Sequence, residues 1–196
     1  LEATADDSMA EIGEKERSFA ALTESETYDR AKLTADAWCS AFIIRKVESA
    51  PRITTGVIRR LAGSGGHVPE TVHVEVAKIA SEYGLFHWEI EFPQVFGRDT
   101  RGFDLVIGNP PWDQVQFREQ EFFAPTRPDI ADAPTAAKRK ASIDALAVTD
   151  PVLFKRYQSA SRRTEATRNF VTRSGRFPHT GGGRVNLFGL FAENAG

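Results

Sequence analysis

With 196 residues, 41% of them hydrophobic and 27% charged, the sequence falls in the range of globular proteins rather than disordered or fibrous ones. A single cysteine, Cys39, excludes a disulfide framework and a thiolate metal cluster. The histidines at 67, 73, 87 and 179 lack metal-ligand spacing, so no metal site is expected. No apolar run has the length of a membrane span, and the N-terminus lacks the basic-then-apolar order of a signal peptide; a reducing cytoplasm is the expected setting. The formal charge of −2 hides an asymmetry. Residues 1–48 carry 11 acidic and 6 basic groups, whereas residues 127–184 carry 12 basic and 5 acidic ones. Such a basic half implies an anionic partner, of which nucleic acid is the usual one.

Residues 1–48 are poor in glycine and proline and read as helix. Leu33, Ala37, Ala41 and Ile44 share one face, with Trp38 and Phe42 beside it. Pro51 ends this region, and Ile53 to Leu61 reads as a short helix closed by Gly63. The run Gly63-Ser64-Gly65-Gly66 follows Arg59-Arg60-Leu61 rather than an apolar strand, so it reads as a linker and not as a phosphate loop. Pro69 opens a helix through Tyr83, stopped by Gly84, with Val72, Val76, Ile79 and Tyr83 on one face. The alternation of Val72, Val74 and Val76 leaves a strand open as the competing reading. Phe86, Trp88, Ile90 and Phe92 alternate with polar residues, the pattern of a strand with one buried face.

A loop containing Gly97 and Gly102 leads to Leu105-Val106-Ile107, which reads as a short buried strand. Gly108-Asn109-Pro110-Pro111 stops it, because neither proline can donate to a sheet ladder and the residue before each is driven to extended backbone. Trp112 follows. Gln114 to Phe123 reads as a helical turn, and the proline-rich stretch from Ala124 to Pro134 as irregular. Two helices are expected over 134–146 and 151–172. The second carries Phe154, Tyr157 and Phe170 among Arg162, Arg163, Arg168 and Arg173. Aromatics among arginines suit a nucleic-acid surface, and a packed face with a solvated basic face explains them equally well. Gly181-Gly182-Gly183 reads as a hinge, and Asn186 to Asn194 as a final helix. Because the chain starts at Leu1 and ends at Gly196 inside a helical pattern, it reads as part of something larger.

The strand followed by Asn109-Pro110-Pro111-Trp112 resembles the catalytic motif of amino-methyltransferases, which move a methyl group from S-adenosylmethionine to an exocyclic or amide nitrogen. The chemistry accounts for the residue types. An aromatic amino group is a poor nucleophile because its lone pair is delocalised into the ring. The Asn109 side-chain oxygen and the Pro110 carbonyl can each accept one of its N–H groups and stabilise the positive charge that grows on it. The prolines fix both acceptors, and Trp112 offers a face on which a flipped base can stack.

From His87-Trp88-Glu89-Ile90-Glu91-Phe92 through Trp112, then Glu121-Phe122-Phe123-Ala124 and Asn186-Leu187-Phe188-Gly189-Leu190-Phe191, the chain resembles large bacterial N6-adenine DNA methyltransferases. These belong to type IIG-like restriction-modification and phage-defence systems. The resemblance covers about residues 30–196. It implies an α/β fold, here an α-rich partial Rossmann-like methyltransferase fragment with helical insertions. Residues 1–85 would form a helical region and residues 86–196 a partial catalytic region. It implies S-adenosylmethionine as cofactor, with Phe191 near its adenine ring, though Phe188 and Phe191 also fit simple core packing at i, i+3. Double-stranded DNA would be the substrate, with Arg162, Arg163, Arg168 and Arg173 toward it. Other subunits of a restriction-modification or defence system would be possible partners. The chain departs from the family in one respect: no glycine loop for the methionine end of the cofactor precedes Asn109, and no ribose-binding acid is identifiable. The piece on its own is therefore expected to be inactive. An RNA-base or protein-glutamine methyltransferase would use the same four residues, and a non-catalytic module binding nucleic acid or a partner would tolerate the missing loop.

Overall fold

A computed structural model of the chain describes residues 8–63, 67–96 and 102–195. Gly65 and Gly97, central to the linker and loop readings, lie outside the described residues. Among those described, every regular element is a helix, joined by irregular segments. Among the described residues the only β pairing is an isolated antiparallel bridge between Gln114 and Asn186. The expected α/β, partial Rossmann-like architecture is thus corrected to an all-helical one. None of the helices is long and apolar enough to cross a membrane among the described residues. The chain divides into two compact units, Leu1–Gly108 and Asn109–Gly196.

The first unit holds α1 (Met9–Thr23), α2 (Glu26–Ile43), α3 (Thr55–Ala62), α4 (Glu70–Tyr83) and the single turn α5 (Trp88–Glu91). Local chemistry sets the ends. Ser25 and Thr54 cap α2 and α3 by accepting from the N–H groups of Tyr28 and Val57. Gly84 ends α4 in the left-handed conformation at φ 62°, and Leu85 N–H then donates back to the Ala80 carbonyl (3.0 Å). α2 is the hub, packed on α1, α3, α4 and α5. Ala37, Val57, Leu61, Val68, Val72 and Val76 form its core, with Leu33, Ile53 and Ile58 against it. Val72 and Val76 are buried while Val74 is 60% exposed, so the helical period wins over the alternating one in α4. A polar seam joins α2 to the α5 turn. His87 Nε2 lies 2.7 Å from the buried Asp36 carboxylate, and the Tyr28 hydroxyl donates to Glu91 (3.2 Å). Lys32 reaches both carboxylates at 3.9 and 4.0 Å.

Two sequence expectations fail in this unit for one reason. Phe86 to Phe92 is a helical turn, not a strand. The alternating rings serve an aromatic cluster in which Trp88 stacks on Phe92 (5.7 Å) and Phe103 meets Trp88, Phe92 and Phe96 edge-on at 5.4–5.9 Å. Leu105, Val106 and Ile107 are neither strand nor buried; they are 72%, 54% and 85% exposed. A strand exists only through its ladder partner, and no neighbouring strand is present among the described residues to make one.

In the second unit, α6 (Glu119–Phe123), α7 (Pro128–Ala131), α8 (Ala136–Thr149) and α9 (Pro151–Arg173) pack in sequence, and α10 (Leu187–Ala195) closes the chain. α7 supplies a helical turn inside the stretch expected to be irregular, with Pro128 at its first turn. Thr135 caps α8, and Asp150 caps α9 with Pro151 at the first helical position. One core gathers Phe123, Ile130, Ala131, Ile143, Leu146 and Leu153. Phe123 is fully buried and stacks on Tyr157 at 5.4 Å; burying such a ring stabilises by roughly 1.5–3 kcal/mol. A second core, of Val115, Val171, Val185 and Leu190, lies beneath the bridge between Gln114 and Asn186.

Candidate functional site

Asn109, Pro110, Pro111 and Trp112 open the second unit in irregular backbone. Each of the first two precedes a proline and is held extended, which keeps the Asn109 amide and the Pro110 carbonyl from folding back into a helix. Asn109 is exposed, Pro110 half-buried, and Trp112 81% exposed. Just past the indole the chain runs antiparallel to a distant segment. Leu187 N–H donates to the Asp113 carbonyl, and Val115 N–H donates to the Val185 carbonyl, both at 2.9 Å. Val115 and Val185 point into the second core, which anchors this seam by apolar burial.

The seam joins the two runs that carry the resemblance, Asn109-Pro110-Pro111-Trp112 and Asn186-Leu187-Phe188-Gly189-Leu190-Phe191. Its visible result is an aromatic pair: the Trp112 and Phe188 rings sit 5.6 Å apart at an interplanar angle of 33°. α10 is itself clamped. The Glu193 carboxylate accepts from the N–H groups of His179 and Thr180, both at 2.9 Å, and from the Thr180 hydroxyl. Partial burial pushes the Glu193 carboxyl up, but these donors outweigh it and hold its pKa below the usual value. The three-glycine segment is pinned rather than a free hinge. Gly181 is buried with its N–H donating to the Phe177 carbonyl (2.9 Å), and the Arg168 guanidinium donates to the Gly183 carbonyl (3.2 Å).

The remaining candidates are spread along α9 and α10. Arg163, Arg168 and Arg173 are exposed, whereas Arg162 is half-buried and pairs with Glu165 at 3.4 Å. Phe191 is 54% exposed on α10. A polar cavity of about 580 Å³ lies elsewhere in the unit, against Gln116 to Glu121, Arg139 and Ser161. At its edge the Tyr157 hydroxyl donates to Glu119 (2.9 Å). Burial first, then that hydrogen bond and the Glu119 charge, push the Tyr157 phenol up to about 12. Phe191 is not among the residues lining this cavity, so the two do not form a common cradle for S-adenosylmethionine.

A model of the Eco57I restriction-modification methylase family matches residues 24–145, from α2 to the last turn of α8 and across Asn109-Pro110-Pro111-Trp112. The chain belongs to this family. It is accordingly a restriction-modification methylase chain, and DNA is the substrate the family implies. No curated protein and no solved structure matches it. The Eco57I family match stops short of Arg162 and of the Asn186 to Phe191 run, so those residues rest on the geometry and the sequence resemblance alone. Sequence reasoning missed Phe188 as the partner of Trp112 and Glu193 as the clamp on α10. The first lay within a motif already noted. The second gave no local signal, since its partners are thirteen and fourteen residues away.

Proposed function

We propose that this Eco57I-family chain carries the methyl-acceptor side of an enzyme that transfers a methyl group from S-adenosylmethionine to the N6 amino group of adenine in DNA. The observation that carries the reading is the run Asn109-Pro110-Pro111-Trp112, irregular in backbone with Asn109 and Trp112 exposed, lying inside the family match. Asn109 accepts one N–H of the adenine amino group through its side-chain oxygen, and the Pro110 carbonyl accepts the other. Both acceptors favour the nitrogen as it gains positive charge, so their contribution grows toward the transition state. Pro111 fixes the Pro110 carbonyl, and Trp112 stacks on the flipped base. Arg162, Arg163, Arg168 and Arg173 contact DNA phosphates. Without a glycine loop or a ribose-binding acid in its sequence, the isolated chain is inactive and binds the cofactor weakly.

The test is methylation of duplex DNA by the full-length protein. Asn109→Ala should lower methyl transfer by roughly 100- to 1,000-fold, by analogy with deletion of one preorganised electrostatic partner, while DNA affinity stays near that of the unmodified protein. Activity within tenfold would remove Asn109 from the mechanism.

A further inference from the structure

Trp112 leaves most of its surface in solvent, yet its position relative to α10 is tightly determined. The residue after Trp112 is Asp113, and the residue before Phe188 is Leu187. Asp113 and Leu187 are joined directly, Leu187 N–H to Asp113 carbonyl at 2.9 Å. Trp112 and Phe188 are therefore the first residues on either side of a fixed backbone bond, and their ring contact is built by the seam. Phe188 is held from its other side too. Gly189 approaches Thr180, Leu190 is buried in the second core, and Glu193 ties α10 to His179 and Thr180. By contrast, Phe188 is itself 44% exposed, more than a ring placed there for core packing needs to be.

We propose that Phe188 is a positioning residue for base recognition: it braces one side of the Trp112 indole and leaves the other as the stacking face for an unpaired nucleobase. An indole on a surface turn samples several rotamers, and each one not facing the base lowers stacking by its population. The tilted Trp112–Phe188 contact at 5.6 Å selects the rotamer in advance, so ordering is complete before the base arrives. Aromatic pairs of this kind are worth enough to change that population by roughly two- to tenfold. The inference rests on Trp112 stacking a base, as proposed above, and the experiment separates the two.

The probe is a single-stranded oligodeoxynucleotide carrying one 2-aminopurine, compared with the same strand carrying an abasic site at that position. Binding of the chain is followed by 2-aminopurine emission and, for both strands, by anisotropy of an end label. Trp112→Ala should abolish the emission change. Phe188→Ala should weaken binding of the 2-aminopurine strand about two- to tenfold and leave the abasic strand unaffected. Phe188→Tyr should restore the original behaviour. If Trp112→Ala changes nothing, base stacking on Trp112 is wrong. If Trp112→Ala acts but Phe188→Ala does not, Phe188 is no positioning residue. Should Phe188→Ala lower the melting temperature and weaken both strands, Phe188→Leu, which keeps bulk without a ring, decides. Normal binding of the 2-aminopurine strand by Phe188→Leu would refute a positioning role for the ring.

Discussion

Replacing Tyr157 by Phe removes one hydroxyl from the second unit and leaves the ring stacked on Phe123. The lost group donates to the Glu119 carboxylate at 2.9 Å. Hydrogen bonds to charged partners contribute about 1.5–3 kcal/mol when well buried, and this half-buried one is worth roughly 1 kcal/mol. For a unit of this size that is a melting-temperature loss of about 4–8 °C at neutral pH. The pH dependence provides the sharper signature. The phenol sits at about 12 in the folded unit against 10.0 ordinarily, pushed up by burial and then by Glu119. A folded-state value above the unfolded one means that the contribution is complete below pH 10 and is lost as pH rises through about 12. Discounted for the ring's solvent contact, the loss is again roughly 1 kcal/mol. The stability difference between the unmodified chain and Tyr157→Phe should thus be constant from pH 7 to about 9 and shrink toward zero by pH 12. Calorimetric melts of both proteins across that range measure it, and lysines and other tyrosines cancel in the difference. A gap that stays unchanged at pH 12 would show that the Tyr157 phenol is not held above its ordinary value in the folded unit.

The Glu193 clamp works in the opposite direction. Its carboxyl is held below the usual value, so its contribution is present above about pH 4.5 and fades as pH falls through the folded-state value; Glu193→Gln should melt earlier than the parent at pH 7 and match it in acid. A Gly181→Ala substitution should destabilise by about 1–3 kcal/mol. Its β-carbon would lie 2.5 Å from the Phe177 carbonyl oxygen and 2.8 Å from that of Val171, and backbone must move to admit it; an unchanged denaturant midpoint would show that the segment yields freely. Reversing the charge of Arg162 and Arg163 should flatten the salt dependence of DNA binding by up to about two in log–log slope and weaken all sequences alike. Lost stability with an unchanged slope would assign these arginines to the fold instead.

The helices were largely legible because their signals are local. Pro69 and Gly84 bracket α4, Pro151 opens α9, and Val72, Val76 and Ile79 recur at helical spacing and are buried. The β expectations failed because strand identity is not local. Leu105-Val106-Ile107 has the composition of a core strand, but composition cannot supply a neighbour. Phe86, Trp88 and Phe92 alternate, but alternation does not distinguish a sheet face from rings gathered on one another. At the candidate site, the acceptor turn could be read from two prolines and the residues beside them. The partnership of Trp112 with Phe188 could not, since it depends on backbone bonds between segments far apart in sequence. The basic stretch fits a nucleic-acid surface and a solvated basic face equally well in sequence, and what the sequence does not display is that its arginines also bond within the unit, Arg162 with Glu165 and Arg168 with Gly183.

The seam at Gln114 and Asn186 makes everything between them, α6 to α9, a single closed excursion from the site. In the unfolded chain, closing an excursion of this length costs only modestly more than closing a shorter one, since doubling a flexible loop adds about 0.6 kcal/mol. From within the excursion, Val115, Phe170, Val171, Phe177 and Val185 share the core under the seam. The core of Phe123, Ile130, Ala131, Ile143, Leu146 and Leu153 is a separate cluster, so a change confined to it should leave the Trp112–Phe188 contact in place.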